Sequence, residues 1–118
     1  MVRIAVASTD GKLVNQHFGR ADRFYILETE EDTAEFKLAE ERNTVPVCVN
    51  GDHEENQMEQ AASNLSDCQY VLVSRIGMRA RNELEARGLK VYEMPGIIEE
   101  SVDKLIRYIK VQKLLDGI

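Results

Sequence analysis

The stretch YVLVSRIG, at residues 70–77, decides the fold class of this chain of 118 residues. Its first four residues form a continuous apolar run, which is typical of a central strand that is covered on both faces. A helix is predicted directly after it, over about residues 77–87, because Ile76, Ala80 and Leu84 are spaced by four and Gly88 provides a stop. A buried strand followed at once by a helix indicates an α/β domain with parallel strands.

The same alternation continues on both sides of this stretch. Toward the C-terminus, residues 89–92 predict a strand, Pro95-Gly96 breaks the chain, and a last helix follows from residue 97 to about 115. Toward the N-terminus, a helix is predicted from about residue 54 to 66, because it carries a single apolar stripe. The stripe consists of Met58, Ala61, Ala62 and Leu65.

Three strands are predicted before these units, and they form an antiparallel meander. The first two cover residues 2–7 and 24–27, and the third lies around Phe36 and Leu38, whose alternation with charged residues gives it one wet face. The order of elements is therefore βββαβαβα. It predicts an α/β fold with a five-stranded mixed sheet and helices on its faces, similar to the three-layer ribonuclease H-like architecture, in a single domain over residues 1–118.

Composition restricts the partners. The chain has 15 basic and 21 acidic residues, a net charge of −6, so general binding to nucleic acid or to an anionic membrane is not expected. No apolar run approaches the length of a membrane span. We expect a reduced, cytoplasmic protein in which Cys48 and Cys68 are both free, because the helix between them holds them roughly 20 Å apart, far beyond the reach of a disulfide. Cys68 is expected to be a small packing residue.

The predicted topology brings four loops to one edge of the sheet. These are residues 8–22, 43–53, 74–78 and 93–97, which follow strands that all end on the same side. Ligands of open α/β sheets usually bind at this edge, and a helix start there offers free N–H groups to an anion. A cluster of basic and metal-ligating side chains in an acidic protein favours a compact anionic ligand. The members of the cluster are His17, Arg20, Cys48, His53, Arg75 and Gly77.

The residues also carry a family resemblance. The blocks are IAVASTDG at residues 4–11, VNQHFGRADRF at 14–24, DCQYVLVSRIG at 67–77 and GLKVY at 88–92. Together they resemble the dinitrogenase iron-molybdenum-cofactor-binding family, which includes NifX, NafY and the C-terminal part of NifB. The resemblance covers essentially the whole chain, and the HFG and RIG blocks are specific only in combination.

The resemblance implies a ribonuclease H-like fold. It also implies a non-catalytic role in nitrogenase cofactor biosynthesis, which is to carry an iron–sulfur precursor or the finished iron–molybdenum cofactor between donor and acceptor proteins. His17 of the HFG block is then the natural cluster ligand. Imidazole and thiolate both suit iron, so Cys48 and His53 are further candidate metal ligands. Arg20, Arg75 and the helix start at Gly77 could hold the anionic cluster by charge.

Other interpretations of these residues stay open. His17 could be a loop histidine that bonds a backbone carbonyl, and Cys48 with His53 does not make a closed metal site by itself. Arg75 and Gly77 could simply form a helix entry, with Arg75 solvated or paired with Asp10. For the whole protein, the second hypothesis is an accessory domain that binds a partner protein or a small anion without metal. The third is a metal-dependent hydrolase using Asp10 and Asp22, although Asp10-Gly11 is better explained as a turn. The sequence sets no oligomeric state.

Overall fold

The structure is a computed structural model that describes residues 1–30, 35–44, 46, 48–49, 52–53 and 55–117, without the side chains of residues 48–49, 52–53 and 55–56. Its strands are β1 (Val2–Ala7), β2 (Leu13–Val14), β3 (Arg23–Thr29), β4 (Phe36–Asn43), β5 (Cys48–Val49), β6 (Asp52–His53), β7 (Tyr70–Val73), β8 (Lys90–Glu93) and β9 (Gly96–Ile97). Its helices are α1 (Glu55–Asn64), α2 (Met78–Ala86) and α3 (Ile98–Asp116). In the described ranges, no helix is long and apolar enough to cross a membrane.

Five of the strands form one mixed sheet in the order β4-β3-β1-β7-β8. The pairs β1–β3 and β3–β4 are antiparallel, whereas β1–β7 and β7–β8 are parallel. The predicted five-stranded mixed sheet and three helices are confirmed. The N-terminal meander supplies the antiparallel half of the sheet, and the two strand–helix units supply the parallel half.

The core consists of two apolar layers, one on each face of the sheet. On one face, Val71 and Val73 of β7 pack in the layer beneath α1 and α2. On the other face, Leu72 of the same strand packs in the layer beneath α3, with Val102 and Leu105. Because successive residues of a strand point to opposite faces, a strand that is covered on both sides must be apolar throughout. This is the physical reason for the unbroken run at residues 70–73.

The structure adds short strands where the sequence predicted only loops. β2 lies in the predicted loop of residues 8–22 and pairs with β9, which lies at the predicted chain break. Ile97, predicted as the first residue of the last helix, belongs to β9 instead, and α3 begins at Ile98. β5 pairs with β6 within the predicted loop of residues 43–53. Two-residue strands have no periodicity to recognise, since tertiary pairing creates them.

The strand β4 differs most from its prediction. The sequence indicated a strand around Phe36 and Leu38, but β4 continues through Asn43 and carries exposed charged side chains. A bulge interrupts its pairing with β3 opposite Ile26 and Leu27. Charges and a bulge are typical of an edge strand, because they discourage pairing with other chains. The same charges removed the apolar alternation that would have predicted the full length of the strand.

Candidate functional site

The candidate site lies at the sheet edge where β1, β4, β7 and β8 all end. After β1, the chain turns back, and the amides of Asn15 and Gln16 donate to the carbonyl of Ala7 at 3.3 and 3.4 Å. Residues 16–18 then run beside the extension of β7. The Ser74 amide donates to the Gln16 carbonyl at 3.0 Å, and the Phe18 amide donates to the Arg75 carbonyl at 2.9 Å. His17 and Arg75, far apart in sequence, are thereby joined in a parallel backbone bridge.

A buried phenylalanine gives this loop its shape. Phe18 is only 2% exposed, and its ring centroid lies 6.0 Å from that of Phe24 in the core. Phe18–Arg20 form one turn of 3-10 helix, which ends at the buried Ala21. Because Phe18 and Ala21 point inward, His17 and Arg20 are left exposed at the edge. The HFGRA sequence therefore works as an anchor that presents an imidazole and a guanidinium to solvent.

Two buried polar atoms flank the His17–Arg75 bridge. The side-chain Oε1 of Gln16 and the Oγ of Ser74 are buried and have no hydrogen-bond partner among the side chains and backbone that the structure describes. Buried polar atoms normally have partners, so orphaned ones mark places where a ligand or water completes the structure. The sequence predicted a functional role for neither residue. The available signal was their position in the sequence, because Gln16 precedes His17 and Ser74 precedes Arg75.

The start of α2 already holds one negative charge. Gly77 is the N-cap residue, its backbone is extended, and no side chain caps the helix. Next to it, the Ile76 amide donates to Oε2 of Glu93 at 3.1 Å, and Arg81 Nη2 lies 3.8 Å from Oε1 of the same carboxylate. Glu93 therefore occupies one backbone donor that an anionic ligand would otherwise use. It ends β8 and belongs to the edge segment of residues 93–97, but no sequence pattern predicted a role for it.

Cys48 and His53 lie on the small β5–β6 hairpin. Their backbones are directly opposite each other in the pairing of the two strands. The Cα atoms of β5 come within 8 Å of those of the Phe18–Arg20 turn, so the hairpin backbone borders the loop that carries His17. Their side chains lie outside the described part of the structure. The prediction that they ligate metal therefore stays a prediction.

The described residues alone do not form a closed metal centre. Among the residues that the structure describes, no group of three or more His, Cys, Asp or Glu side chains could hold a metal ion. The site that these residues do form is an open surface with one imidazole, His17, beside the exposed Arg20 and Arg75. Such a surface can supply one nitrogen ligand and positive charge, and it leaves the remaining coordination positions to the ligand itself.

The loop aspartate Asp10 is held by the turn that follows β1, whereas the Asp22 carboxylate accepts from Gln16 Nε2 at 3.5 Å. Asp10 Oδ1 accepts from the amides of Lys12 and Leu13 at 2.9 and 3.1 Å and from Ser8 Oγ at 3.2 Å. The backbone hydrogen bonds, that from Lys12 first, lower the pKa of Asp10 below its ordinary value. In the described structure, the Asp10 carboxylate bonds to its own turn and not to Arg75, which is exposed to solvent. The carboxylate serves the turn at Gly11, where φ is +75°.

The second cysteine is separate from this edge. Cys68 is a free thiol that is 4% exposed in the layer beneath α1 and α2. Burial raises its pKa to about 12, with a further contribution from the neighbouring Asp67 carboxylate. The prediction that Cys68 is a free packing residue is confirmed. A thiol that stays protonated at neutral pH is neither a nucleophile nor a metal ligand.

The fold and the site together define an α/β domain that presents a histidine and arginines at the ligand-binding edge of its sheet. The sequence profile described as "dinitrogenase iron-molybdenum cofactor" matches residues 1–108. The chain belongs to the dinitrogenase iron-molybdenum cofactor family.

Relatives within the family include proteins named FeMo cofactor biosynthesis protein NifB. The chain is 38% identical to that of Chlorobaculum tepidum over 99 residues, which cover 84% of this chain and 22% of the relative. It is 34% identical to that of Frankia alni over 109 residues, which cover 89% of this chain and 21% of the relative. The chain thus spans about a fifth of the length of these relatives.

A solved structure supports the fold. The crystal structure of PH0822 superposes with a TM-score of 0.63 and 28% sequence identity, and the match covers 89% of this chain and 88% of that one. Nearly the whole of each chain is therefore included in the shared α/β arrangement.

Proposed function

We propose that this protein is a non-catalytic carrier for an anionic iron–sulfur-type metallocluster, either the iron–molybdenum cofactor or one of its precursors. The cluster is the cargo of the protein. The observation that carries the proposal is the backbone bridge between His17 and Arg75, which sets an exposed imidazole next to an exposed guanidinium in a member of this family. An imidazole nitrogen binds iron, and a guanidinium neutralises the charge of sulfide-rich clusters.

The roles divide among the edge residues. His17 is the primary ligand, because the buried Phe18 fixes its backbone while its own side chain remains exposed. Arg20 and Arg75 hold the charge of the cluster, and the backbone around Gly77 approaches it without interference from a side chain. Cys48 and His53, on the neighbouring hairpin, would complete the iron ligands.

An open site suits a carrier. A cluster that is held by one imidazole and a few charges on a surface can be released to an acceptor, whereas a closed set of four protein ligands would retain it. We accordingly infer that the partners are proteins that donate or accept the cluster. We also infer a ribonuclease H-like architecture from the order of the strands in the sheet, and a cytoplasmic location from the thiol chemistry.

Anaerobic loading tests the proposal. The protein is mixed with a donor protein charged with iron–molybdenum cofactor precursor, the two are separated by gel filtration, and iron and sulfide are measured in the carrier fraction. We expect wild type to retain the cluster, and His17→Ala to lose most of it while its circular dichroism spectrum stays unchanged. The variants Cys48→Ser and His53→Ala measure how much of the iron retention depends on the β5–β6 hairpin.

Matched charge variants complete the experiment. Arg75→Ala and Arg20→Ala should each weaken retention, whereas Arg107→Ala, which removes an equal charge from the exposed side of α3, should not. Equal iron content in wild type and His17→Ala would show that His17 is not the ligand. Absence of iron from every form, with the donor fully loaded, would overturn the carrier role itself.

A further inference from the structure

An apolar groove lies on the α3 face of the sheet, apart from the candidate cluster site. It has a volume of about 830 Å³. One wall is the small β2–β9 sheet, in which Leu13 and Ile97 are paired directly opposite each other. The other wall is Leu38 of the edge strand β4. Tyr25, Leu27, Phe36 and Ile98 also line the groove.

The groove exists because helices cover the two faces of the neighbouring strands β3 and β4 unequally. On one face, Phe24 and Ile26 of β3 pack beneath α1. On the other face, the layer beneath α3 includes β1 and β7, and α3 also reaches β8, where Tyr108 packs against Tyr92. At the opposite edge of the sheet, Leu27 of β3 and Phe36 of β4 still join this layer, but Leu38 of β4 is left exposed. Leu38 is 57% exposed, Ile97 49% and Leu13 40%. Three large exposed apolar side chains around one groove are unusual on a soluble surface and typical of an interaction site.

Acidic side chains dominate the surroundings of the groove. Asp10 and Glu99 lie on its rim, with Lys12 as the basic residue beside them. An adjoining cavity of about 350 Å³ shares Phe36 with the groove. Its charged lining residues are Glu28, Glu30, Glu35 and Lys37. The excess of carboxylates favours a basic occupant, and the net charge of −6 acts in the same direction.

We propose that this groove docks an amphipathic helix of a partner protein, with apolar residues on one face and Lys or Arg along its flanks. Two walls and an apolar floor match the helix-in-groove mode, in which anchors at helical spacing insert between the walls. An added strand would instead pair with the backbone edge of β4 and leave Leu13 and Ile97 uncovered. The inference does not depend on the cluster-carrier function.

The groove and the cluster edge share one loop. Residues 10–13 line the groove, and residues 17–20 of the same loop present His17 and Arg20 at the edge. Gly11 packs closely on the groove, since a Cβ at this position would lie 3.0 Å from Cε1 of Tyr25. A helix docked in the groove would therefore bring its protein next to the site that receives the cargo.

A model peptide tests the docking mode on the full chain. The probe is an amphipathic peptide of leucine and lysine, roughly 14 residues or about four helical turns long. Its control replaces every lysine by glutamate. Binding is followed by amide chemical shifts of the protein, and we expect changes at Gly11, Leu13, Tyr25, Leu38 and Ile97. Leu38→Ser should weaken binding about tenfold or more, because an apolar anchor loses its contact.

A matched variant and four named outcomes keep the test decisive. Leu114→Ser changes a leucine that is 72% exposed near the end of α3, away from the groove, and should leave binding unaltered. Equal binding of the glutamate peptide, or binding that Leu38→Ser does not weaken, overturns the proposal. Shifts confined to β4 would indicate an added strand and also overturn it. Concentration-dependent dimerisation that Leu38→Ser abolishes would assign the groove to a second copy of the chain instead.

Discussion

Arg42 and Asp67, 25 residues apart in sequence, form a two-pronged ion pair, with Nη1 2.7 Å from Oδ1 and Nη2 2.6 Å from Oδ2. The same guanidinium donates to the carbonyl of Asn64 near the end of α1 and contacts the carboxylate of Glu40. Arg3 joins the group through Asp67 at 3.1 Å. The network ties the edge strand β4 to the connection between α1 and β7. It therefore holds in register the edge strand that helps to form the proposed docking groove.

Removing the charge of Asp67 should destabilise the fold modestly. Asp67→Asn leaves Arg42 mostly buried, with 20% of its side chain exposed, and with a weaker partner. Because the Asp67 side chain is itself 41% exposed, solvent screens the pair. We expect a loss of about 1 kcal/mol in the free energy of unfolding, measured with urea. Asp103→Asn breaks an exposed pair with Arg107 and should change that free energy by less than about 0.5 kcal/mol. Equal effects of the two substitutions would contradict a special role for Asp67.

Acid should remove the same contribution over a defined range of pH. The hydrogen bonds from Arg42 lower the pKa of Asp67 from 3.8 to about 2 in the folded protein. A carboxyl group whose folded pKa is depressed stabilises the fold above its unfolded pKa, and this stabilisation is lost as the pH falls toward the folded value. The difference in unfolding free energy between wild type and Asp67→Asn should therefore be constant above about pH 5 and shrink toward pH 2. Urea denaturation at a series of pH values measures this difference. A difference that does not change with pH would refute the lowered pKa of Asp67 in the folded protein.

Cys68 should be unreactive while the protein is folded. Its burial and its pKa of about 12 leave almost no thiolate at neutral pH. In a Cys48→Ser variant, Cys68 is the only thiol, so labelling with a chromogenic disulfide reports on it alone. We expect labelling at the rate of unfolding in buffer and immediate labelling in concentrated urea. Rapid labelling of the folded variant would show that the α1–α2 layer opens at this position.

Local patterns predicted the parts of the fold that depend on local burial. The run at residues 70–73 is apolar because both faces of β7 are covered, and the stripe through Met58 and Leu65 reflects the single buried face of α1. The polar parts escaped prediction because they depend on contacts between distant residues. In the sequence, Arg42 and Glu40 resemble ordinary charged surface residues, although in the structure they belong to the network that secures an edge strand.

The candidate site was predictable to the same extent. His17 and Arg75 could be brought together from the order of the strands alone, since strand direction determines which loops share an edge. Glu93 could not, because its importance arises from the approach of its carboxylate to the Ile76 amide. The orphaned oxygens of Gln16 and Ser74 likewise emerge only once the loop is packed.

Neutralising Glu93 should strengthen the binding of small anions at the start of α2. In the wild-type protein the Ile76 amide donates to the Glu93 carboxylate at 3.1 Å. Glutamine at this position retains an oxygen that accepts from this amide, but it removes the negative charge that repels an incoming anion. With inorganic phosphate as the probe, we expect affinity to rise about fivefold in Glu93→Gln at low salt, which corresponds to about 1 kcal/mol between nearby charges in water. The amide chemical shifts of Ile76 and Gly77, followed as phosphate is added, measure this affinity. Glu85→Gln is the matched control, because Glu85 also contacts Arg81 but not the Ile76 amide, and it should have no comparable effect. The same rise in both variants would mean that only the net charge matters, whereas a rise confined to Glu93→Gln shows that its carboxylate competes with ligands for this edge of the sheet.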